Sequence, residues 1–149
     1  TGFLAIVAAK QGGKVVATDV NPMAIMCASN NAVYNKVSSD IEFRKGNLFE
    51  PILAHERFDV ILAGLPWENA KPADMLEKAF YDPDFSMRKG LFRNAKKLLL
   101  PNGKIFMSYA KKVQDRYPIE QFIDGYTYEV VAEQDIRGEP HYIYMIQLI

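Results

Sequence analysis

Thr1-Gly2-Phe3-Leu4-Ala5-Ile6, Lys14-Val15-Val16-Ala17-Thr18-Asp19 and Asn21-Pro22 decide the fold. Small residues open a predicted helix, a β-branched strand follows, and an acid stands where that strand stops. A dinucleotide or adenosyl ligand needs this order. Backbone must approach it closely at the first turn, and a carboxylate at the next strand tip must take the ribose hydroxyls. The second half of that pattern is present; its first half would lie ahead of Thr1.

Outward from this stretch, helix and strand signals alternate. Phe3 to Gln11 reads as a helix stopped by Gly12-Gly13. Lys14 to Val20 suits a buried parallel strand, and Pro22 opens a helix through Tyr34. Ile41 to Arg44 and Phe58 to Leu62 read as two further strands. Pro72 to Tyr81 and Ser86 to Leu100 are expected as helices, the second ended by the Pro101-Asn102-Gly103 turn before a strand from Lys104 to Ala110. Tyr117 to Gly125 reads as a short helix. Thr127 to Asp135 and His141 to Leu148 alternate as a hairpin with one wetter face. The pattern predicts an α/β fold: a doubly wound, Rossmann-like, mostly parallel sheet with a C-terminal antiparallel hairpin.

A chain of 149 residues is one domain by size, and 49% hydrophobic residues at zero net charge give it an ordinary globular composition. Neutrality removes any general pull toward nucleic acid. Cys27 is the single cysteine, so no intrachain disulfide forms, which fits a reducing, cytoplasmic setting. No apolar run approaches the roughly 18 to 20 residues that span a bilayer. His55 and His141 lack metal-ligand spacing, so no metal is expected.

Thr1 to Ile6 resembles the back end of the Gly-x-Gly-Thr-Gly loop of class I S-adenosylmethionine-dependent methyltransferases. Asp19 is similar to their acid at the end of the second strand, and Asn47-Leu48-Phe49 to the segment beside the adenine. Ala63-Gly64-Leu65-Pro66-Trp67 sits where N-methylating members carry Asn-Pro-Pro-Tyr. The resemblance covers nearly the whole chain and is nearest to the release-factor glutamine and small-domain RNA methyltransferases. It implies S-adenosyl-L-methionine as cofactor and methyl transfer to a nitrogen of a protein or RNA. It also implies a central first strand ahead of Thr1, so residues 1–149 are expected to be one methyltransferase domain lacking that strand and the first glycines of the cofactor loop.

On this resemblance, Thr1 and Gly2 face the methionine carboxylate through backbone N–H groups at a helix N-terminus. Asp19 holds the ribose diol, leaving Asn21 to cap the next helix. Val20 flanks the adenine, Asn47 accepts from its amine and Leu48 donates a backbone N–H. Gly64, Leu65, Pro66 and Trp67 form the catalytic turn, with Gly64 in place of the family's Asn and Leu65 in place of its first Pro. Glu68 or Asn69 is the candidate for the missing side-chain acceptor. Trp67 reads either as a π-face for the acceptor or as a packed anchor.

Arg88-Lys89, Lys96-Lys97 and Lys111-Lys112 read as solvated helix faces, Cys27 as core, and Tyr126, Tyr128, Tyr142 and Tyr144 as cross-strand packing. Two other functions fit parts of the pattern: a catalytically inactive binding or partner subunit, and a nicotinamide-dependent oxidoreductase, since Asp19 also suits a ribose diol there.

Overall fold

The computed structural model describes residues 1–149 and divides into two compact units, Thr1–Ala54 and His55–Ile149. In the first unit, α1 (Phe3–Lys10) leads to β1 (Val15–Asp19), α2 (Pro22–Tyr34) and β2 (Ile41–Lys45). The two strands pair in parallel, from Val15 opposite Ile41 to Asp19 opposite Lys45. Ala5, Ile6 and Ala9 of α1 and Ala32 of α2 pack with Val37 and Ile41, and with Val15, Ala17 and Phe43 of the strands. Small alanines at these contacts let the helices approach the strands closely. Asn21 caps α2, its side chain accepting from Met23 N at 2.9 Å, with Pro22 where a missing N–H costs nothing.

The second unit runs β3 (Phe58–Ala63), α3 (Ser86–Leu98), β4 (Leu99–Ala110), α4 (Lys111–Arg116), β5 (Tyr126–Ile136) and β6 (Glu139–Leu148). Its sheet has the order β3-β4-β6-β5, with β3 and β4 parallel and the β5–β6 hairpin antiparallel. Leu91, Phe92 and Ala95 of α3 share its core with Ile105, Met107, Tyr109, Tyr144 and Ile146.

The fold is α/β with a mixed sheet, which corrects the expectation of one mostly parallel sheet. The strands fall into a two-stranded parallel sheet and a four-stranded mixed one, and β1 and β3 are each the edge of their own sheet.

Pro101-Asn102-Gly103 does not end an element but makes a bulge within β4. Phe58 faces Leu99 while Val60 already faces Lys104, and Asn102 sits at φ 66°. A Cβ on Gly103 would lie 2.9 Å from the Leu100 carbonyl oxygen, so the close return needs glycine.

Two expected helices are not formed. Between Pro72 and Tyr81 only a 3-10 turn, Glu77–Ala79, appears. The Glu77 carboxylate takes the Ala73 N–H at 2.6 Å and Asp74 takes the Glu77 N–H at 2.9 Å, so side chains satisfy the donors a helix would use. Tyr117 to Gly125 likewise holds one 3-10 turn, Ile119–Gln121, and the helix lies earlier, as α4. Cys27 is exposed, not core, because α2 buries the stripe of Ala28 and Ala32. Of the tyrosines expected to pack across strands, Tyr128 of β5 does so against Tyr144 of β6, at 5.4 Å between ring centroids; Tyr142 meets Tyr144 along the same strand at 6.2 Å, and Tyr126 packs on Phe92 of α3 at 5.5 Å.

Candidate functional site

In the first unit, the C-terminal ends of β1 and β2 lie side by side, the end of a parallel sheet where ligands bind. Asp19 closes β1 and is exposed; its Oδ1 accepts the Asn21 N–H at 2.8 Å, which orients the carboxylate at the strand tip. The Asp19 carbonyl in turn accepts from Gly46 N at 3.0 Å, so the turn after β2 is tied to the same tip. Asn47 and Leu48 follow at once. Asn47 and Glu50 bond reciprocally through backbone and carboxylate at 3.0 Å each, leaving the exposed Asn47 side chain outside that turn. Leu48 adopts φ 46°, and its carbonyl accepts from Thr18 Oγ1 at 2.8 Å. The structure therefore brings Asp19, Val20, Asn47 and Leu48 to one sheet end.

Thr1 and Gly2 are fastened elsewhere, to the middle of α2. The Thr1 carbonyl accepts from Asn31 Nδ2 at 2.9 Å, and Gly2 turns at φ 72° immediately before α1. A Cβ on Gly2 would lie 2.7 Å from the Ala28 Cβ. The backbone here runs against α2 where only glycine fits, and it leads directly into the first turn of α1, which has no side-chain cap. Gly2→Ala should cost the full-length protein about 1–2 kcal/mol from left-handed backbone alone. Urea unfolding showing no loss would mean that the turn relaxes freely.

In the second unit, Gly64-Leu65-Pro66-Trp67 leaves the end of β3 directly after Ala63, which pairs with Met107. Gly64 is exposed, Leu65 and Trp67 half-buried, and Pro66 buried. The segment beyond is pinned to residues 80–84. Glu68 N donates to the Phe80 carbonyl at 3.0 Å, Asp82 N donates to the Glu68 carbonyl at 2.8 Å, and Asp84 N donates to Asn69 Oδ1 at 2.8 Å. Glu68 Oε2 meets Arg116 at 3.3 Å. The two candidates for a substitute acceptor beside Gly64 are thus engaged in holding the loop.

Beneath this turn lies Arg88, with 0% of its surface exposed. Its Nη2 donates to the Pro66 carbonyl at 3.2 Å, and its guanidinium lies 5.0–5.1 Å from the ring centroids of Phe85, Tyr109 and Phe122. Asp82, also 0% exposed, takes three donors at the start of α3: Ser86 Oγ at 3.1 Å, Met87 N at 2.8 Å and Arg88 N at 3.1 Å. Burial pushes the Arg88 pKa down, opposed by its electrostatic interactions with Tyr109, Asp82 and Tyr117. Burial likewise pushes the Tyr109 phenol up to about 12, and its hydroxyl donates to the Tyr117 carbonyl at 2.9 Å.

The solvated reading of Arg88-Lys89 is therefore wrong for Arg88 and right for Lys89, which is exposed. Arg88 stands in register with Leu91, Phe92 and Ala95 at the i, i+3, i+4, i+7 spacing of a buried helix stripe, a signal in spacing but not in residue type. The charge concealed it.

A methyltransferase-domain family profile matches residues 1–144 and so runs through both units. The chain is 34% identical to a bifunctional methyltransferase of Rickettsia felis over 141 residues, covering 87% of this chain and 26% of that protein. It is 41% identical over 68 residues to a putative protein N5-glutamine methyltransferase of Methanocaldococcus jannaschii, covering 45% of this chain and 32% of that one. The chain thus spans about a quarter to a third of these two relatives. Among solved structures, a methyltransferase from Pyrococcus furiosus superposes with TM-score 0.74 at 22% identity, over 100% of this chain and 71% of that one. An RNA methyltransferase from Salinibacter ruber, in complex with S-adenosyl-L-homocysteine, gives TM-score 0.60 at 18% identity over 97% of this chain and 73% of that one.

Proposed function

This chain belongs to the methyltransferase-domain family, and on that premise we propose that the full-length protein transfers a methyl group from S-adenosylmethionine to a nitrogen of a protein or an RNA. The cofactor supplies an electrophilic methyl group on a sulfonium. One observation carries the reading: Asp19 stands exposed at the tip of β1, its carboxylate oriented by Asn21 N–H. There it accepts from both ribose hydroxyls, with Val20 against the adenine and Asn47 and Leu48 at its polar edge. Gly2 and Thr1, at the start of α1, are assigned the methionine end of the cofactor by the family resemblance; the close contact Gly2 makes is with Ala28 of α2. The family profile spans both units, which supports a single methyltransferase domain over residues 1–149.

The acceptor role falls to Gly64, Leu65, Pro66 and Trp67. Gly64 offers no side-chain acceptor, so the backbone carbonyls of Gly64 and Leu65 hold the substrate amino group and Trp67 stacks on its plane. Orientation of the lone pair toward the methyl group is then the main source of rate. The same Gly64 favours a second reading, a cofactor-binding partner subunit without turnover. The resemblance to a putative N5-glutamine methyltransferase supports a protein amide as acceptor, and that to an RNA methyltransferase supports a base amine. The lone Cys27 thiol, exposed, suits action in a reducing cytoplasm.

Calorimetry with S-adenosylhomocysteine and with NAD separates a methyltransferase from a nicotinamide enzyme. Methyl incorporation from labelled cofactor, offered cell protein and RNA, separates catalysis from binding alone. Asp19→Ala in the full-length protein should weaken S-adenosylhomocysteine about tenfold, the lower end of ~1.5–3 kcal/mol for hydrogen bonds to a charged group. Stability without ligand should barely change at so exposed a position. Unchanged affinity would remove Asp19 from the site.

A further inference from the structure

Arg88 is out of place on simple grounds of packing. It occupies the apolar stripe of α3 among Phe85, Tyr109 and Phe122, where a methionine or leucine would fill the same space without desolvating a charge. Two of its polar atoms, Nε and Nη1, are buried without a hydrogen-bond partner, and Asp82 spends its carboxylate on the start of α3. The bond the guanidinium does make is to the Pro66 carbonyl, next to Trp67 and inside the turn that closes β3.

We propose that Arg88 is a positioning residue for the acceptor turn: its bond to the Pro66 carbonyl, from a cation boxed by three aromatic rings, sets where Trp67 presents its ring. The inference rests on the acceptor role proposed above for residues 64–67. It also answers the loss of a side chain at Gly64. A turn without its own side-chain acceptor presents the substrate through the Gly64 and Leu65 carbonyls, and the Arg88 bond to the adjoining Pro66 carbonyl fixes the backbone that carries them. Asp82 fixes the first turn of α3, from which Arg88 projects, and Glu68 and Asn69 hold the loop on its far side. Lysine at position 88 would keep a cation able to reach one carbonyl but lose the planar fork; methionine would keep the volume and lose both.

Trp67 is the sole tryptophan of residues 1–149, and the difference between the full-length protein and its Trp67→Phe variant isolates its emission. The test uses Arg88→Met and Arg88→Lys in the full-length protein, with circular dichroism to show that each is folded. In Arg88→Met the Trp67 emission should shift and its quenching by acrylamide should rise about twofold or more. S-adenosylhomocysteine affinity should stay within about twofold, and kcat for methyl transfer should fall about tenfold. Arg88→Lys should recover much of the emission and part of the rate. Wild-type emission and quenching in a folded Arg88→Met overturn the proposal. So does a shifted emission with unchanged kcat, because the ring's placement then does not govern the rate. If the methionine variant does not fold, the lysine variant decides, since wild-type emission and rate with the fork removed also overturn it. A wild-type protein that neither binds S-adenosylhomocysteine nor transfers methyl defeats the methyltransferase reading itself, while emission still reports whether Arg88 places the turn.

Discussion

Asp82→Ala should destabilise the full-length protein by about 3–5 kcal/mol, since two backbone donors lose a buried charged acceptor at roughly 1.5–3 kcal/mol each. Asp82 is wholly buried, and its carboxylate accepts from Ser86 Oγ, Met87 N and Arg88 N. Alanine leaves the buried Arg88 N–H without an acceptor, a loss of about 1–3 kcal/mol by itself. It also removes the negative charge that favours the buried Arg88 guanidinium. The Asp82 backbone bonds to Glu68 and Phe85 do not depend on the side chain and should survive. Asp82→Asn keeps one acceptor oxygen and should lose roughly half as much, since only the charge and one acceptor position go. Guanidinium unfolding of both variants checks the order. An alanine variant within about 1 kcal/mol of wild type would show that solvent reaches the α3 start in place of the carboxylate.

Trp67→Ala should lower kcat/KM by about tenfold or more, equivalent to the ~1–3 kcal/mol of one aromatic stack on a planar group. Trp67 is half-buried, so the accompanying loss of stability should be below the ~3–5 kcal/mol of a fully buried aromatic. S-adenosylhomocysteine affinity should hardly move, because the residues proposed to hold the cofactor are Thr1 to Leu48. Trp67→Phe keeps a π-face and should retain most of the rate. A destabilised Trp67→Ala whose folded fraction keeps full activity would assign the residue to packing.

The two largest effects fall on residues of different legibility. Trp67 was visible as part of a motif with a fixed place after a strand. Asp82 and Arg88 were not, because Asp82-Pro83-Asp84 reads as a polar break between helices and Arg88-Lys89 as a charged pair on a wet face. Both readings are sound for isolated charges, which almost never bury fully unless paired. Here the charges are buried together with three rings, and that requires α3, β4 and the segment before β5 to meet.

The sequence by itself determined the elements with local causes. Asn21-Pro22 starts α2 through a side-chain cap, Gly12 follows α1, β-branched runs make β1 and β3, and Asp19 ends a strand. These outcomes depend on a few neighbouring residues, so spacing and residue type are enough. Only the tertiary structure decided that Pro72 to Tyr81 stays irregular, where carboxylates of Asp74 and Glu77 take the helix donors and Glu68 pairs with the chain beyond. It alone decided that Pro101 to Gly103 bulges within a strand, since β3 alongside continues the ladder past it. And it alone decided that a charged side chain at position 88 lies under Pro66, because Tyr109, Pro66 and Phe122 stand 21, 22 and 34 residues away along the chain and no local pattern can bring them together.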